Sequence, residues 1–156
     1  MAVAKEPELK QKQWLPPKRV TALCAGRFSG QQPEVACAKT NRIELWRRDA
    51  SKTMEIALVA QAPARAPVAA LAAAARADRG DALVAVYEDG AWDVLTWNGV
   101  LEAVPHAGSH VARPSRAVCC AAVGARVLIA AWRHEAVFVD TAGASTVVPF
   151  AFAQGW

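Results

Sequence analysis

Three groups of four short apolar runs repeat along this chain, and the runs are separated by Gly, Pro, Asp and Asn. The groups begin near Val20, Val68 and Ala117, so their starting points are 48 and then 49 residues apart. Short apolar runs between turn-forming residues are typical of β-strands, and Asp89-Gly90 is a strong hairpin signal. A period of about 40 to 50 residues with four strands in each unit indicates the blades of a β-propeller. The sequence therefore predicts an all-β protein with about three four-stranded antiparallel blades.

The predicted blades are too few for a closed ring. Propellers usually contain four to eight blades, and a seven-bladed ring with this period needs about 340 residues, whereas the chain has 156. We therefore expect an incomplete β-propeller, part of a seven-bladed ring, as a truncated gene model, a fragment or a short relative of a longer protein. The predicted organisation is a flexible charged lead-in (1–17), three blades (about 18–62, 66–105 and 115–152) and a truncated end (153–156).

The run VAALAAAA at residues 68–75 conflicts with this pattern, because alanine favours helix by intrinsic propensity. Its place as the first run of the second group nevertheless predicts a strand. The innermost strands of a propeller pack closely around the axis, where small side chains fit well. We therefore predict an inner strand at these residues.

The stretch EVACAKTNRIELWRRD (34–49) predicts two strands joined by a polar corner at residues 39–42. The corresponding runs of the other two groups are also joined by short turns. We therefore interpret the corner as a blade turn and not as a binding site. Four tryptophans are interpreted as packing residues between blades, with base stacking as the alternative: Trp46, Trp92, Trp97 and Trp132.

The composition indicates a folded, soluble, intracellular protein. Hydrophobic residues make up 54% of the chain, which argues against disorder. No apolar run reaches the roughly 18 residues of a membrane span, and the charged N-terminal segment lacks the apolar stretch of a secretion signal. The net charge of +4 permits weak affinity for nucleic acids, although a solvated basic surface is the simpler explanation of the same charge.

No pattern in the sequence indicates catalysis, a cofactor or a metal. No Ser/His/Asp, Cys/His or paired-carboxylate arrangement is supported by residue spacing. His106 and His110 lie in a predicted loop and His134 in a predicted hairpin turn, where a metal site is disfavoured. The cysteines form no CxxC pair and are predicted to be small, buried and reduced: Cys24, Cys37, Cys119 and Cys120. We therefore expect a protein that is not an enzyme.

The order of these motifs resembles a family of large nuclear proteins. The residues that carry the resemblance are VTALCAGRFSG (20–30), EVACAKTNRIELWRRD (34–49), GDALVAVYEDGAWDVLTW (80–97) and ARPSRAVCCAAVGARVLIAAWRHEAVFVD (112–140). Over residues 15–150, the chain is similar to the N-terminal propeller shared by three family members. These are the large subunit of the UV-damaged-DNA-binding complex, subunit 3 of splicing factor 3b and the largest subunit of the cleavage and polyadenylation specificity factor. The motifs AKTNRIEL and ARPS look most like the damaged-DNA-binding subunit, whereas FSG and RRD look more like the splicing-factor subunit.

The resemblance implies a non-catalytic scaffold located in the nucleus, with the cytoplasm as an additional location. The first implied function is that of a protein-interaction adaptor in cullin-4 ubiquitin ligases, and the alternative is a scaffold of an RNA-processing complex that contacts nucleic acid. The implied partners are other proteins of a multi-subunit nuclear complex, with neither a membrane nor a small-molecule substrate. Arg113, Pro114 and Ser115 match a partner-facing loop of the damaged-DNA-binding subunit, so the resemblance implies partner contacts there.

Overall fold

Three four-stranded antiparallel sheets make up the fold. The computed structural model describes residues 19–30, 32–52, 55–77, 79–105, 117–131 and 135–149. The first sheet contains β1 (Ala22–Gly26), β2 (Glu34–Lys39), β3 (Arg42–Arg48) and β4 (Ile56–Pro63). The second contains β5 (Val68–Ala74), β6 (Ala82–Tyr87), β7 (Trp92–Trp97) and β8 (Leu101–Ala103). The third contains β9 (Ala117–Val123), β10 (Arg126–Ala131), β11 (Glu135–Asp140) and β12 (Ser145–Pro149).

The prediction of an all-β chain with three four-stranded sheets is confirmed. Within each sheet the strands follow one another in chain order, and every neighbouring pair is antiparallel. The described residues contain no helix, and hence no helix that could cross a membrane. The described sheets do not close into a ring.

The second sheet lies between the other two and is buried on both faces. One apolar cluster joins it to the first sheet, through residues such as Ile43 and Leu83. A second cluster joins it to the third sheet, through residues such as Val84 and Ile129. Every residue of β6 is buried as a result. This arrangement explains why β6 has a continuous apolar sequence and not the alternating pattern of a half-exposed strand.

The alanine-rich run forms β5, as predicted. This strand contacts β1 on one side and β9 on the other, so the first strands of the three sheets lie together. The register of β5 against β6 shifts at a bulge between Val68 and Ala70. Small alanine side chains allow the three strands to approach closely, and burial of this segment overrides the helical propensity of its alanines.

Backbone hydrogen bonds tie the turns of neighbouring sheets at one end of the structure. The amide of Asp81 donates to the carbonyl of Arg27, at 2.9 Å, and joins the second sheet to the first. The amide of Ala75 donates to the carbonyl of Gly124, at 3.2 Å, and joins the second sheet to the third. The three sheets are therefore connected by hydrogen bonds as well as by apolar packing.

Candidate interaction surface

The three sheets use their two faces in the same way. We call the face directed toward the next sheet in the chain the forward face, and the opposite face the rear face. On the middle strands, the forward face carries the cross-strand pairs Ala36–Leu45, Val84–Val94 and Leu128–Phe138. The rear face carries the pairs Val35–Trp46, Leu83–Leu95 and Val127–Val139. Each contact between sheets is therefore a forward face packed on a rear face.

The rear face of the first sheet is the candidate interaction surface, because no described sheet covers it and it carries several exposed apolar side chains. Four large apolar side chains on it are strongly exposed: Leu23 (63%), Val35 (44%), Ile56 (69%) and Leu58 (46%). Their register places them on one face, with Leu23 opposite Cys37 and Leu58 opposite Trp46. Exposed apolar residues grouped on one face are typical of surfaces that bind a protein, a membrane or a ligand.

A buried carboxylate, Glu44, lies within this apolar face. Its side chain is only 2% exposed and pairs with Lys39 at 2.8 Å and Arg42 at 2.5 Å. The indole Nε1 of Trp46 donates a third hydrogen bond to Glu44, at 2.9 Å. The Lys39 ammonium also lies 5.9 Å from the centre of the Trp46 ring. These partners, all from the hairpin of β2 and β3, cover the carboxylate and satisfy it.

The pKa of Glu44 is set by two opposing effects. Burial raises the pKa, whereas the hydrogen bonds donated by Lys39, Arg42 and Trp46 lower it and outweigh burial. The pKa therefore lies below the ordinary value of 4.5, and Glu44 is ionised at neutral pH. The ion pairs hold the long side chains of Lys39 and Arg42 against the face of the sheet.

The second sheet has a carboxylate at the equivalent position, where its rear face packs on the first sheet. Asp93 lies opposite Ala85, as Glu44 lies opposite Cys37. The hydroxyl of Tyr87 donates to Asp93 at 2.8 Å, and Arg65 lies 3.3 Å from the same carboxylate oxygen. Burial, followed by the hydrogen bond to Asp93, raises the pKa of Tyr87. A paired carboxylate is thus compatible with a rear face that another sheet covers.

Replacing Glu44 with glutamine is expected to lower the free energy of unfolding by about 2 kcal/mol at pH 7. Removing one member of a buried ion pair costs about 3 to 5 kcal/mol, and we discount that figure because Lys39 and Arg42 are partly exposed. The matched control is Glu55→Gln, whose exposed pair with Lys52 contributes less than about 1 kcal/mol. Urea unfolding followed by circular dichroism measures both changes, and equal costs would contradict the role of Glu44.

The loss of unfolding free energy in Glu44→Gln is expected to depend on pH, because the pKa of Glu44 is lowered in the folded chain. A carboxyl group whose pKa is lower in the folded chain stabilises the fold above its unfolded value of 4.5. That contribution is lost as the pH falls through the folded pKa. The cost of Glu44→Gln is therefore expected to be constant above about pH 5 and to shrink in acid. A cost that stays constant in acid would exclude a contribution from the charge.

Arginines line two open depressions at the end of the sheets where the turns are hydrogen bonded. One depression, of about 450 Å³, is bordered by Arg27, Arg76 and Arg79. Another, of about 650 Å³, is bordered by Arg47, Arg48 and Lys52. Asp81 and Asp49 also border these depressions, so their charge is mixed. The positive side chains at this end supply a secondary candidate surface for an anionic partner.

The residues predicted as partner contacts, Arg113, Pro114 and Ser115, lie outside the described residues. The same holds for His106, His110 and His134. Within the described ranges, no group of three or more His, Cys, Asp or Glu side chains is arranged to hold a metal ion.

The cysteine prediction is confirmed in part. Cys24, Cys37 and Cys120 are free thiols. Cys37 is buried, whereas Cys24 and Cys120 are only half-buried, and the side chain of Cys119 lies outside those described. Burial, followed by the nearby charge of Asp81, raises the pKa of Cys24 to about 11, so this thiol is protonated at neutral pH.

The tryptophans differ in their degree of burial. Trp92 is fully buried between the second and third sheets, as predicted, and Trp97 packs partly buried between the first and second. Trp46 instead lies on the rear face of the first sheet. The prediction of packing between blades is thus confirmed for Trp92 and Trp97, whereas no described sheet packs on Trp46. Trp132 lies outside the described residues.

The Glu44 cluster is not among the sites predicted from the sequence, although its signal is present there. Residues 39–42 are predicted to form a turn, and the structure confirms that turn at Thr40 and Asn41. A two-residue turn places Lys39 opposite Arg42, and Glu44 then lies on the same face as both. The spacing of one acidic and two basic residues around the hairpin could therefore have predicted the cluster.

Neither a scan against protein-family models nor a search of curated proteins finds a match to this chain.

Proposed function

We propose that this chain is a protein-interaction scaffold made of propeller blades, which binds protein through the rear face of the first sheet. The observation that carries the proposal is the exposed apolar row Leu23, Val35, Ile56 and Leu58 around the ion-paired Glu44. Exposure of apolar side chains to water is unfavourable. A protein partner that covers this sheet face would remove them from water. Because Glu44 is already paired with Lys39 and Arg42, covering the face leaves no unpaired carboxylate behind.

The finer identity proposed for the scaffold is an adaptor in a nuclear cullin-4 ubiquitin ligase. It rests on the resemblance of residues 38–45 and 112–115 to the damaged-DNA-binding subunit. In that arrangement, Arg113, Pro114 and Ser115 would add a second partner contact. A titration of the purified chain with purified cullin-4 tests this identity separately from the general function.

A position-resolved cross-linking experiment tests the general function. A photoreactive amino acid replaces Leu58, which lies on the rear face, or Val100, which lies in a turn of the second sheet. The two side chains have similar exposure, 46% and 52%, so they form a matched pair. Irradiation of the purified chain in nuclear extract is expected to give discrete protein adducts from position 58 and few from position 100.

The outcome of this experiment decides the proposed function. Adducts from position 58 that disappear when Val35 is replaced by glutamate would show that the apolar face is the contact. Equal labelling at positions 58 and 100 would mean that the rear face has no protein partner, and the proposal would then be wrong.

A second candidate function is a scaffold of an RNA-processing complex that contacts nucleic acid. The arginine-lined depressions, with Arg27, Arg76 and Arg79 in one and Arg47 and Arg48 in the other, favour it. Phosphate contacts make binding fall steeply with salt concentration. Affinity for single-stranded RNA that decreases steeply between low and physiological salt would support this function, and absence of binding at low salt would exclude it.

A further inference from the structure

The same contact between sheets occurs twice within the chain. The forward face of the first sheet packs on the rear face of the second, with Ala36 and Leu45 in one cluster with Leu83 and Leu95. The forward face of the second sheet packs on the rear face of the third, with Val84 and Val94 in one cluster with Val127 and Val139. The chain therefore encodes one type of contact, between a forward and a rear face.

Among the described sheets, two faces remain that could make this contact once more. One is the rear face of the first sheet, with the exposed Val35 and Leu58 beside Trp46. The other is the forward face of the third sheet, where Leu128 lies opposite Phe138 and both are half-buried. These two residues occupy the register positions of Val84 and Val94 in the second sheet. One remaining face is thus a rear face and the other a forward face, which is the combination found in both contacts between sheets.

We propose that a second copy of this chain covers the rear face of the first sheet with the forward face of its own third sheet. The contact is reciprocal, so two copies related by a twofold axis close a ring of six sheets. This inference rests on the proposed function, because it names the protein that binds the rear face.

The number of sheets favours two copies. A contact between unlike faces closes into a ring or continues as a filament, depending on the rotation between subunits. Propellers usually contain between four and eight blades. The described residues of one copy form three sheets, so those of two copies form six and those of three copies form nine, and only the dimer falls within this range.

The carboxylate on the rear face, Glu44, is compatible with burial in this contact. Glu44 accepts hydrogen bonds from Lys39, Arg42 and Trp46 of its own sheet and needs no partner from the second copy. The equivalent carboxylate, Asp93, is only 17% exposed where the first sheet packs on the second. The chain therefore already contains one contact of this type that accommodates a paired carboxylate.

Sedimentation velocity of the 156-residue chain tests the proposal directly. The wild-type chain is expected to sediment as a dimer, at twice its mass of 16.6 kDa. Leu58→Glu places a charge on the rear face of the first sheet, and Thr146→Glu places one beside Phe138 on the forward face of the third. Each is expected to raise the dimer dissociation constant at least about thirtyfold, because each disrupts both contacts of the ring.

Two controls separate loss of the contact from loss of folding. Val100→Glu adds the same charge at an exposed position away from both faces and is expected to remain dimeric. An equimolar mixture of Leu58→Glu and Thr146→Glu chains has one intact contact per pair, so association is expected to return in part. A variant that had merely unfolded would not regain association in the mixture.

The remaining outcomes would overturn the inference. A monomeric wild-type chain would exclude the ring. A dimer that survives Thr146→Glu but not Leu58→Glu would show two rear faces packed on each other. The photoreactive group at position 58 adds a distinction: cross-links only to other proteins would overturn the second-copy inference and leave the proposed function intact. Absence of any protein adduct would overturn both.

Discussion

Replacing Trp92 with alanine is expected to lower the free energy of unfolding by about 4 kcal/mol, within the range of about 3 to 5 kcal/mol for a buried tryptophan. Trp92 is among the largest fully buried side chains of the described chain. It packs in the cluster that joins the second sheet to the third, together with Val127 and Val137. The variant leaves a cavity between two sheets. Filling it would require the two sheets to move toward each other.

Urea unfolding followed by circular dichroism measures this cost, and hydrogen exchange locates it. Amides of β10 and β11 are expected to exchange faster in Trp92→Ala, because their sheet loses its main aromatic contact with the second sheet. Trp92→Phe, which retains most of the apolar volume, serves when the alanine variant fails to fold. Trp97→Ala is the matched comparison, since Trp97 is only partly buried. A larger cost for Trp97→Ala than for Trp92→Ala would contradict this account.

Replacing Gly80 with alanine is expected to cost about 3 kcal/mol, although it adds only one methyl group. A Cβ atom at Gly80 would lie 2.2 Å from the carbonyl oxygen of Phe28 and 2.7 Å from that of Arg27. Both atoms belong to backbone, which cannot rotate away as a side chain can. The adjacent hydrogen bond from the Asp81 amide to Arg27 joins the first and second sheets, so displacement of this turn weakens their contact.

Gly99→Ala is the control for the same chemical change without the collision. Nothing lies within 4 Å of a Cβ atom at Gly99, and its φ of +78° alone is expected to cost about 1 kcal/mol. Urea unfolding of both variants separates steric collision from backbone strain. Equal losses of unfolding free energy in the two variants would mean that the turn around Gly80 shifts without cost to admit the methyl group, and would contradict the prediction.

The sheets could be predicted from the sequence because turn residues and the repeat of apolar runs both indicate them. The turn residues Asp89 and Gly90 end β6, and the period of the apolar runs fixed the number of strands in each group. The repeat also predicted the strand at β5, whose alanines favour helix when taken alone. Helix propensity alone does not predict this strand, whereas the repeat does. Contacts with β1 and β9, which lie in the other two sheets, hold β5 as a strand.

The candidate interaction surface could not be predicted in the same way, because it depends on which sheets pack together. Alternation within β2 and β3 places Ala36 and Val35 on opposite faces, but it does not say which face is covered. The tertiary structure decided that Ala36 is buried and Val35 is exposed. It also brought Lys39 and Arg42 onto Glu44, and Arg65 onto Asp93 across the link between two sheets.

The sequence by itself determined the strands, their antiparallel order and their grouping in fours, since turns and alternation act over a few residues. Only the tertiary structure decided that β6 is buried on both faces, that Trp92 lies between two sheets, and that Leu23 and Leu58 remain exposed. The physical reason is that burial depends on the packing of one sheet on another. That packing joins residues tens of positions apart in the sequence. Hydrogen bonding within each hairpin, in contrast, joins residues that are close in the sequence.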